Sequence, residues 1–247
     1  RRRMLSAFAL FAALGLVPPL PASAPITFAS ADGVTVYAQP YPAPAADAPI
    51  ILLFHQAGSS KAEYAPIAPR LAELGFDAVA VDLRSGGDMY PPGNETVQHL
   101  GHSASYEQAL PDMEAALAWA HRTHPKTPVY LWGSSYSAAL VFLLAAKHPK
   151  DIAAVLAFSP GEYLSDKHAV RRAAANVRVP VFIDTAADKA EIANGHAIFL
   201  AVAAKNKEQF RPRNGVHGAS TLRADRDPSG VDENWQAVTN FLRGLRS

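Results

Sequence analysis

The sequence predicts an α/β domain with a mostly parallel central sheet and helices on both faces. Three observations carry this. Several short runs are apolar almost throughout, as strands buried on both faces of a parallel sheet must be. Helix-patterned segments lie between them, so strand and helix alternate along the chain. No internal repeat or long linker interrupts the alternation, and 247 residues at 49% hydrophobic suit one domain with a substantial core.

Taken in order, the chain opens with Arg1, Arg2 and Arg3, then a run rich in Leu, Ala and Phe at residues 4–17, then Ala22-Ser23-Ala24, the small-residue pattern of a cleavage site. This reads as an export signal, residues 1–24, which leaves residues 25–247 as a single domain in the periplasm or outside the cell. A transmembrane anchor fits less well. The apolar run is shorter than the ~20 residues a span needs, and Pro18, Pro19 and Pro21 break its end. No stable membrane insertion is therefore expected after cleavage.

Residues 26–29 and 34–38 have the pattern of a hairpin turned at Asp32-Gly33, followed by a Pro/Ala-rich surface loop at 41–49. The buried-strand runs are 50–54, 77–81, 129–132, 153–158 and 181–184, and 208–211 supplies a last strand. Helix patterns occupy 61–74, 105–123, 136–147, 163–175 and 190–205, and 232–245 closes the chain. Ligands of such a sheet gather at the carboxyl ends of its strands.

One strand end carries a reactive pattern. Gly133-Ser134-Ser135-Tyr136-Ser137 lies between the buried run ending at Trp132 and a helix starting near Tyr136. That is the place of a nucleophile elbow, G-x-S-x-G, whose sharp turn needs small residues on either side of the nucleophile. Ser135 is then the nucleophile. Gly133 meets the need fully; Ser137 stands where the second glycine belongs and meets it less well, although Ala138 and Ala139 keep the following helix slim. The bland alternative is a serine-rich helix cap in which Ser134 or Ser135 only accepts a backbone N–H.

The order of possible partners favours the elbow, because in this arrangement an acid follows the nucleophile and a histidine comes last. VPVFIDTAADKAE places Asp188 in the loop after a strand, which makes it the expected acid. Asp184, at the strand end, is the competitor, with turn capping as its ordinary role, and Glu191 in the next helix is a weaker third choice. His217, in Gly215-Val216-His217-Gly218 before the last helix, fits the general base that a serine hydroxyl needs, against the reading of an ordinary exposed loop histidine. An oxyanion needs backbone donors. Ala57, in the small-residue loop His55-Gln56-Ala57-Gly58-Ser59-Ser60, and Tyr136, the residue after the nucleophile, are expected to supply them. His55 is assigned a structural role.

Residues 50–247 carry HQAGSS, VDLRSGG, GSSYS, the TAAD loop and GVHG in that order, and so resemble the α/β-hydrolase family, above all its small, lid-poor members near the dienelactone hydrolases and bacterial carboxylesterases. The resemblance implies an α/β-hydrolase fold and hydrolysis of a carboxylic ester through an acyl-enzyme, with a Ser-His-Asp triad and no cofactor. Dienelactone hydrolases use a cysteine nucleophile, and this chain has no cysteine, so their lactone substrate does not carry over.

Composition narrows the partners. A formal net charge of +1 gives no reason to expect nucleic acid, and the absence of cysteine excludes disulfides and thiolate zinc sites. A small-molecule ester is the expected partner. About 20 residues between Phe158 and Val179 are too few for a large helical cap domain, so the site should be open. The longer insertion, residues 85–104, is rich in turn formers and is expected over the strand ends, with Met89 and Tyr90 placed to touch substrate. His99 and His102, without a third ligand nearby, do not make a metal site. A non-catalytic binding protein, or a serine aminopeptidase or acyltransferase, would fit the same fold.

Overall fold

The computed structural model describes residues 21–246; most of the expected export signal, residues 1–20, lies outside the described residues. Eight strands, β1 (Ile26–Ala29), β2 (Thr35–Tyr41), β3 (Ile50–Phe54), β4 (Asp77–Asp82), β5 (Val129–Ser134), β6 (Ala154–Phe158), β7 (Val181–Asp184) and β8 (Lys207–Gln209), form one sheet in the order β1-β2-β4-β3-β5-β6-β7-β8. The pairs β1–β2 and β2–β4 are antiparallel and the rest parallel. The helices are α1 (Ala68–Glu73), α2 (Glu95–Leu100), α3 (Leu110–Thr123), α4 (Tyr136–Lys147), α5 (Ala169–Ala174), α6 (Lys189–Ala201) and α7 (Val231–Gly244). This is the α/β-hydrolase fold, with no large cap among the described residues.

The two-residue period of β3 explains its continuous apolar run. Ile50, Leu52 and Phe54 enter the core layer shared with α3 and α4, whereas Ile51 and Leu53 enter the layer shared with α1 and α7. After β3 the chain adds β4 on one side and later β5 on the other, so the strand order switches beside the ends of β3 and β5. A crevice for ligands opens at such a switch point.

Three helical expectations change. The segment expected as one helix at 61–74 breaks into a 3₁₀ turn, Lys61–Tyr64, and the short α1, because Pro66 and Pro69 cannot donate backbone hydrogen bonds inside a continuous helix. The expected 163–175 helix contracts to α5, whose first turn is closed by Glu162, the carboxylate accepting the N–H groups of Val170 and Arg171 at 3.0 Å each. The unexpected α2 forms inside the 85–104 insertion. Asn94 caps it by accepting the Val97 N–H at 2.9 Å, and Gly101 ends it at φ 84.

The VDLRSGG segment fastens this insertion to the sheet. Arg84 is buried and donates to Asp112 Oδ1 from Nε at 3.0 Å and from Nη2 at 2.6 Å, while Nη1 reaches Asp32 at 2.5 Å. The end of β4, helix α3 and the first hairpin turn are thereby joined. Next to it, a Cβ on Gly86 would lie 2.3 Å from Ser59 O and 2.0 Å from Asn94 Nδ2, so only glycine lets the chain press against the loop after β3.

Candidate active site

The elbow forms where β5 turns into α4. Ser135 has φ 59 and ψ −117, a backbone that non-glycine residues rarely adopt, and its N–H donates to Phe158 O at 2.8 Å. The turn is tight enough that a Cβ on Gly133 would meet Ser137 O at 2.5 Å and Ala138 Cα at 2.6 Å. Ser137, which looked like a poor substitute for glycine, braces the turn. Its hydroxyl donates to Phe54 O at 2.8 Å and accepts the Ser134 N–H at 2.8 Å. Ser135 itself keeps 7% of its surface open.

His217 Nε2 lies 2.7 Å from Ser135 Oγ, and its Nδ1 lies 2.6 Å from Glu191 Oε1. With a carboxylate on Nδ1, that nitrogen carries the proton and Nε2 is left to accept from the serine hydroxyl. Burial pushes the Glu191 carboxyl up, but the hydrogen bonds from His217 and Ser159 outweigh it and hold the group below its ordinary range. Its other oxygen accepts the Ala186 N–H at 3.2 Å.

This corrects the expected acid. Asp188 is exposed and is the N-cap of α6; its Oδ1 accepts the N–H groups of Ala190 at 2.9 Å and Glu191 at 3.1 Å. A capping carboxylate is committed to the helix it starts. Side chains inside a helix tilt toward its N-terminus, so Glu191, in the first turn, is aimed back at the strand ends and is long enough to reach His217. Asp184 is no better placed. It is buried, its Oδ1 accepts the Thr185 N–H at 2.8 Å, and burial raises its carboxyl well above the ordinary range.

The expected oxyanion donors flank the elbow. Pairing of Phe54 with Gly133 brings the loop that carries Ala57 alongside it, and among the described residues the Ala57 N–H has no acceptor. Tyr136 is the first residue of α4, a position whose N–H has no intrahelical partner. His55 is fully buried: Nε2 accepts the Leu83 N–H at 2.9 Å and Nδ1 donates to Gln56 O at 2.8 Å. Burial lowers its pKa, so it stands as a neutral brace.

Sequence reasoning missed the buried Glu63. One oxygen accepts the Gln56 N–H at 2.8 Å; the other accepts Gln56 Nε2 at 3.0 Å and Ser134 Oγ at 2.9 Å. Ser134 Oγ in turn accepts the Ala219 N–H at 2.8 Å, so this node links the loop of Ala57, the elbow and the loop of His217. Burial pushes the Glu63 carboxyl up. The pattern Ser60-Lys61-Ala62-Glu63 reads as a helix capping box, which hides a core carboxylate among ordinary helix starts.

The two residues expected to touch substrate part company. Met89 is 44% exposed and lines a cavity of about 390 Å³ with His217, Gln56, Val216, Asp225 and Arg226. Tyr90 is only 6% exposed; its hydroxyl bonds Ser220 Oγ at 2.8 Å and the Arg223 guanidinium lies 4.0 Å from its ring centroid. It supports the His217 loop from below and is not available to a ligand. His99 is stacked on Tyr37 with ring centroids 4.6 Å apart.

Comparison with known proteins agrees with the fold. Residues 45–217 match the family model of serine aminopeptidase, S33. No curated protein matches the sequence. An esterase of Pyrococcus furiosus superposes with a TM-score of 0.67 at 18% identity, covering 89% of this chain and 91% of that one. A thermostable carboxyl esterase of Bacillus coagulans gives 0.69 at 12% identity, covering 90% and 98%. A dienelactone hydrolase of Anabaena variabilis gives 0.69 at 16% identity, covering 89% and 98%. At these identities the structures share a fold, and it is the sequence match, running from the loop before β3 to His217, that makes the chain a member of the S33 serine aminopeptidase family of α/β hydrolases.

Proposed function

We propose that this protein is an exported serine hydrolase that cleaves carboxylic esters through an acyl-enzyme, with Ser135 as nucleophile, His217 as general base and Glu191 as the acid that orients it. The observation that carries the reading is the unbroken chain of two hydrogen bonds, 2.6 Å from Glu191 to His217 and 2.7 Å from His217 to Ser135. His217 Nε2 takes the hydroxyl proton as Ser135 Oγ attacks the ester carbonyl carbon. The oxyanion of the tetrahedral intermediate is met by the Ala57 and Tyr136 N–H groups, each such donor being worth roughly 10²–10³ in rate. The imidazolium then protonates the leaving alcohol, and water enters by the reverse steps to release the acid. Glu191 stays ionised throughout and stabilises the imidazolium.

Family membership also admits an aminopeptidase, which would have to hold a free α-ammonium. The cavity beside His217 argues against it. Its carboxylate, Asp225, is already paired with Arg223 at 3.0 and 2.8 Å, and Arg226 adds positive charge. Export rests on the N-terminal arginines, apolar run and Ala22-Ser23-Ala24.

A panel of p-nitrophenyl esters run beside aminoacyl p-nitroanilides tests the chemistry. Ester turnover is expected, with Ser135→Ala lowering kcat about 10⁴-fold or more. Failure of the wild type to react with a fluorophosphonate probe would leave a binding protein on a hydrolase fold, and anilide turnover exceeding ester turnover would make it a peptidase. Fractionation of cells expressing the full chain tests export: periplasmic or secreted protein shortened at its N-terminus is expected, and unprocessed cytoplasmic protein would contradict it.

A further inference from the structure

Among the described residues two non-glycine residues have positive φ, Ser135 at 59 and Ser159 at 51. The first is the elbow. The second directly follows β6, is 1% exposed, and takes no bond-making part in the chemistry described above. A buried serine in the left-handed region costs free energy that glycine would not, so something must hold it there.

What holds it is a set of contacts to the loops that carry the acid and the histidine. Its N–H donates to Asp184 O at 2.7 Å, at the start of the loop that leads to Glu191. Its Oγ accepts the Gly218 N–H at 2.9 Å, next to His217. The same hydroxyl helps to hold the Glu191 carboxyl below its ordinary range. Its carbonyl accepts the Tyr163 hydroxyl at 2.9 Å, and the carbonyl just before it, on Phe158, accepts the Ser135 N–H at 2.8 Å. The hydroxyl thus braces the histidine loop, while the N–H of the same residue braces the start of the loop that leads to the acid.

We propose that Ser159 is a positioning residue of the hydrolytic site, its left-handed backbone at the end of β6 setting its hydroxyl against the Gly218 N–H and its own N–H against Asp184 O, and so fixing the imidazole of His217 between acid and nucleophile. The proposal rests on the reading of Ser135, His217 and Glu191 as the reacting set. A hydroxyl in this place acts on the geometry of proton transfer and leaves substrate binding alone.

Ser159→Gly separates the hydroxyl from the backbone, since glycine keeps the positive φ without strain and lacks only Oγ. In the full chain this variant is expected to melt near the wild type, to lose about tenfold to a hundredfold in kcat with KM nearly unchanged, and to shift or broaden the downfield proton resonance of the Nδ1–H that His217 gives to Glu191. Ser159→Ala, which keeps the strain and also lacks the hydroxyl, should lose kcat to the same degree and serves in its place if the glycine variant folds poorly. Wild-type kcat and an unmoved Nδ1–H resonance in either folded variant, in an enzyme whose turnover still requires Ser135, would overturn the role of Ser159 alone. Ester turnover that survives Ser135→Ala would overturn the parent reading and this proposal with it.

Discussion

Glu191→Gln is the substitution that probes the acid assignment most sharply, because the surroundings dictate which way the new amide points. One carboxylate oxygen of Glu191 accepts the Ala186 N–H at 3.2 Å, and the other accepts from His217 Nδ1 at 2.6 Å. A glutamine has one acceptor. Satisfying the fixed backbone donor of Ala186 turns its NH₂ toward His217, where it can only donate. The imidazole then presents a bare Nδ1 to the amide and carries its proton on Nε2, facing Ser135 Oγ, so it cannot take the serine proton. Amide replacement of a triad acid that inverts the tautomer in this way costs about 10⁴ in kcat, or about 5 kcal/mol of barrier. Asp188→Asn, by contrast, keeps a side-chain acceptor for the Ala190 and Glu191 N–H groups and should stay within a few-fold of wild type. Initial rates on p-nitrophenyl acetate, with circular dichroism to confirm folding, measure both. A Glu191→Gln enzyme with normal kcat, beside a folded but inactive Asp188→Asn enzyme, would return the acid role to Asp188.

Gly133→Ala places a methyl 2.5 Å from Ser137 O and 2.6 Å from Ala138 Cα, both unable to swing aside, so it should destabilise the fold by roughly 1–3 kcal/mol and distort the elbow, read as a lower denaturation midpoint with lost activity. His217→Ala should abolish turnover and with it the acidic limb of the kcat/KM profile, whereas replacing His99 or His102 should leave that limb in place; an active His217→Ala enzyme with the same limb would end the triad assignment. Asp184 gives a pH test of stability. Its folded pKa lies above its unfolded one through burial, so the neutral form favours the fold below the unfolded value and that contribution is lost as pH rises through the folded value. Asp184→Asn should therefore flatten the fall of Tm with rising pH and keep activity, and an unchanged pH slope would show that Asp184 is not the group responsible.

The elements that chemistry constrains through the backbone were the readable ones. Apolar runs with no polar face suit inner strands, and a glycine ahead of a serine at such a strand's end suits a sharp turn, so β3 to β7 and the turn at Gly133 to Ser137 followed from residue type and order. His217 followed from its place before the last helix. The acid did not. Asp188 and Glu191 are spaced as an N-cap and a residue in the first turn, and weighing that pattern would have assigned Asp188 to the helix and freed Glu191 for His217. The buried roles of Glu63 and Tyr90 were hidden for another reason: Ser134, which bonds the one, and Ser220 and Arg223, which meet the other, lie far away along the chain, and no local pattern marks a polar group destined for the interior.

Placing Glu191, the proposed acid, in the first turn of α6, and not in a loop, ties two kinds of order together. The Asp188 cap, the Ala186 N–H bound to Glu191 and the Glu191–His217 bond all sit at one helix end. Helix ends are where hydrogen bonds open first, at a free energy well below that of the whole domain. Each fraying of this turn would carry Glu191 away from the imidazole while the sheet, Ser135 and His217 stay as they are. The enzyme would thus lose competence reversibly on warming before its sheet begins to melt, and its working temperature would be set by a few backbone hydrogen bonds at the start of one helix.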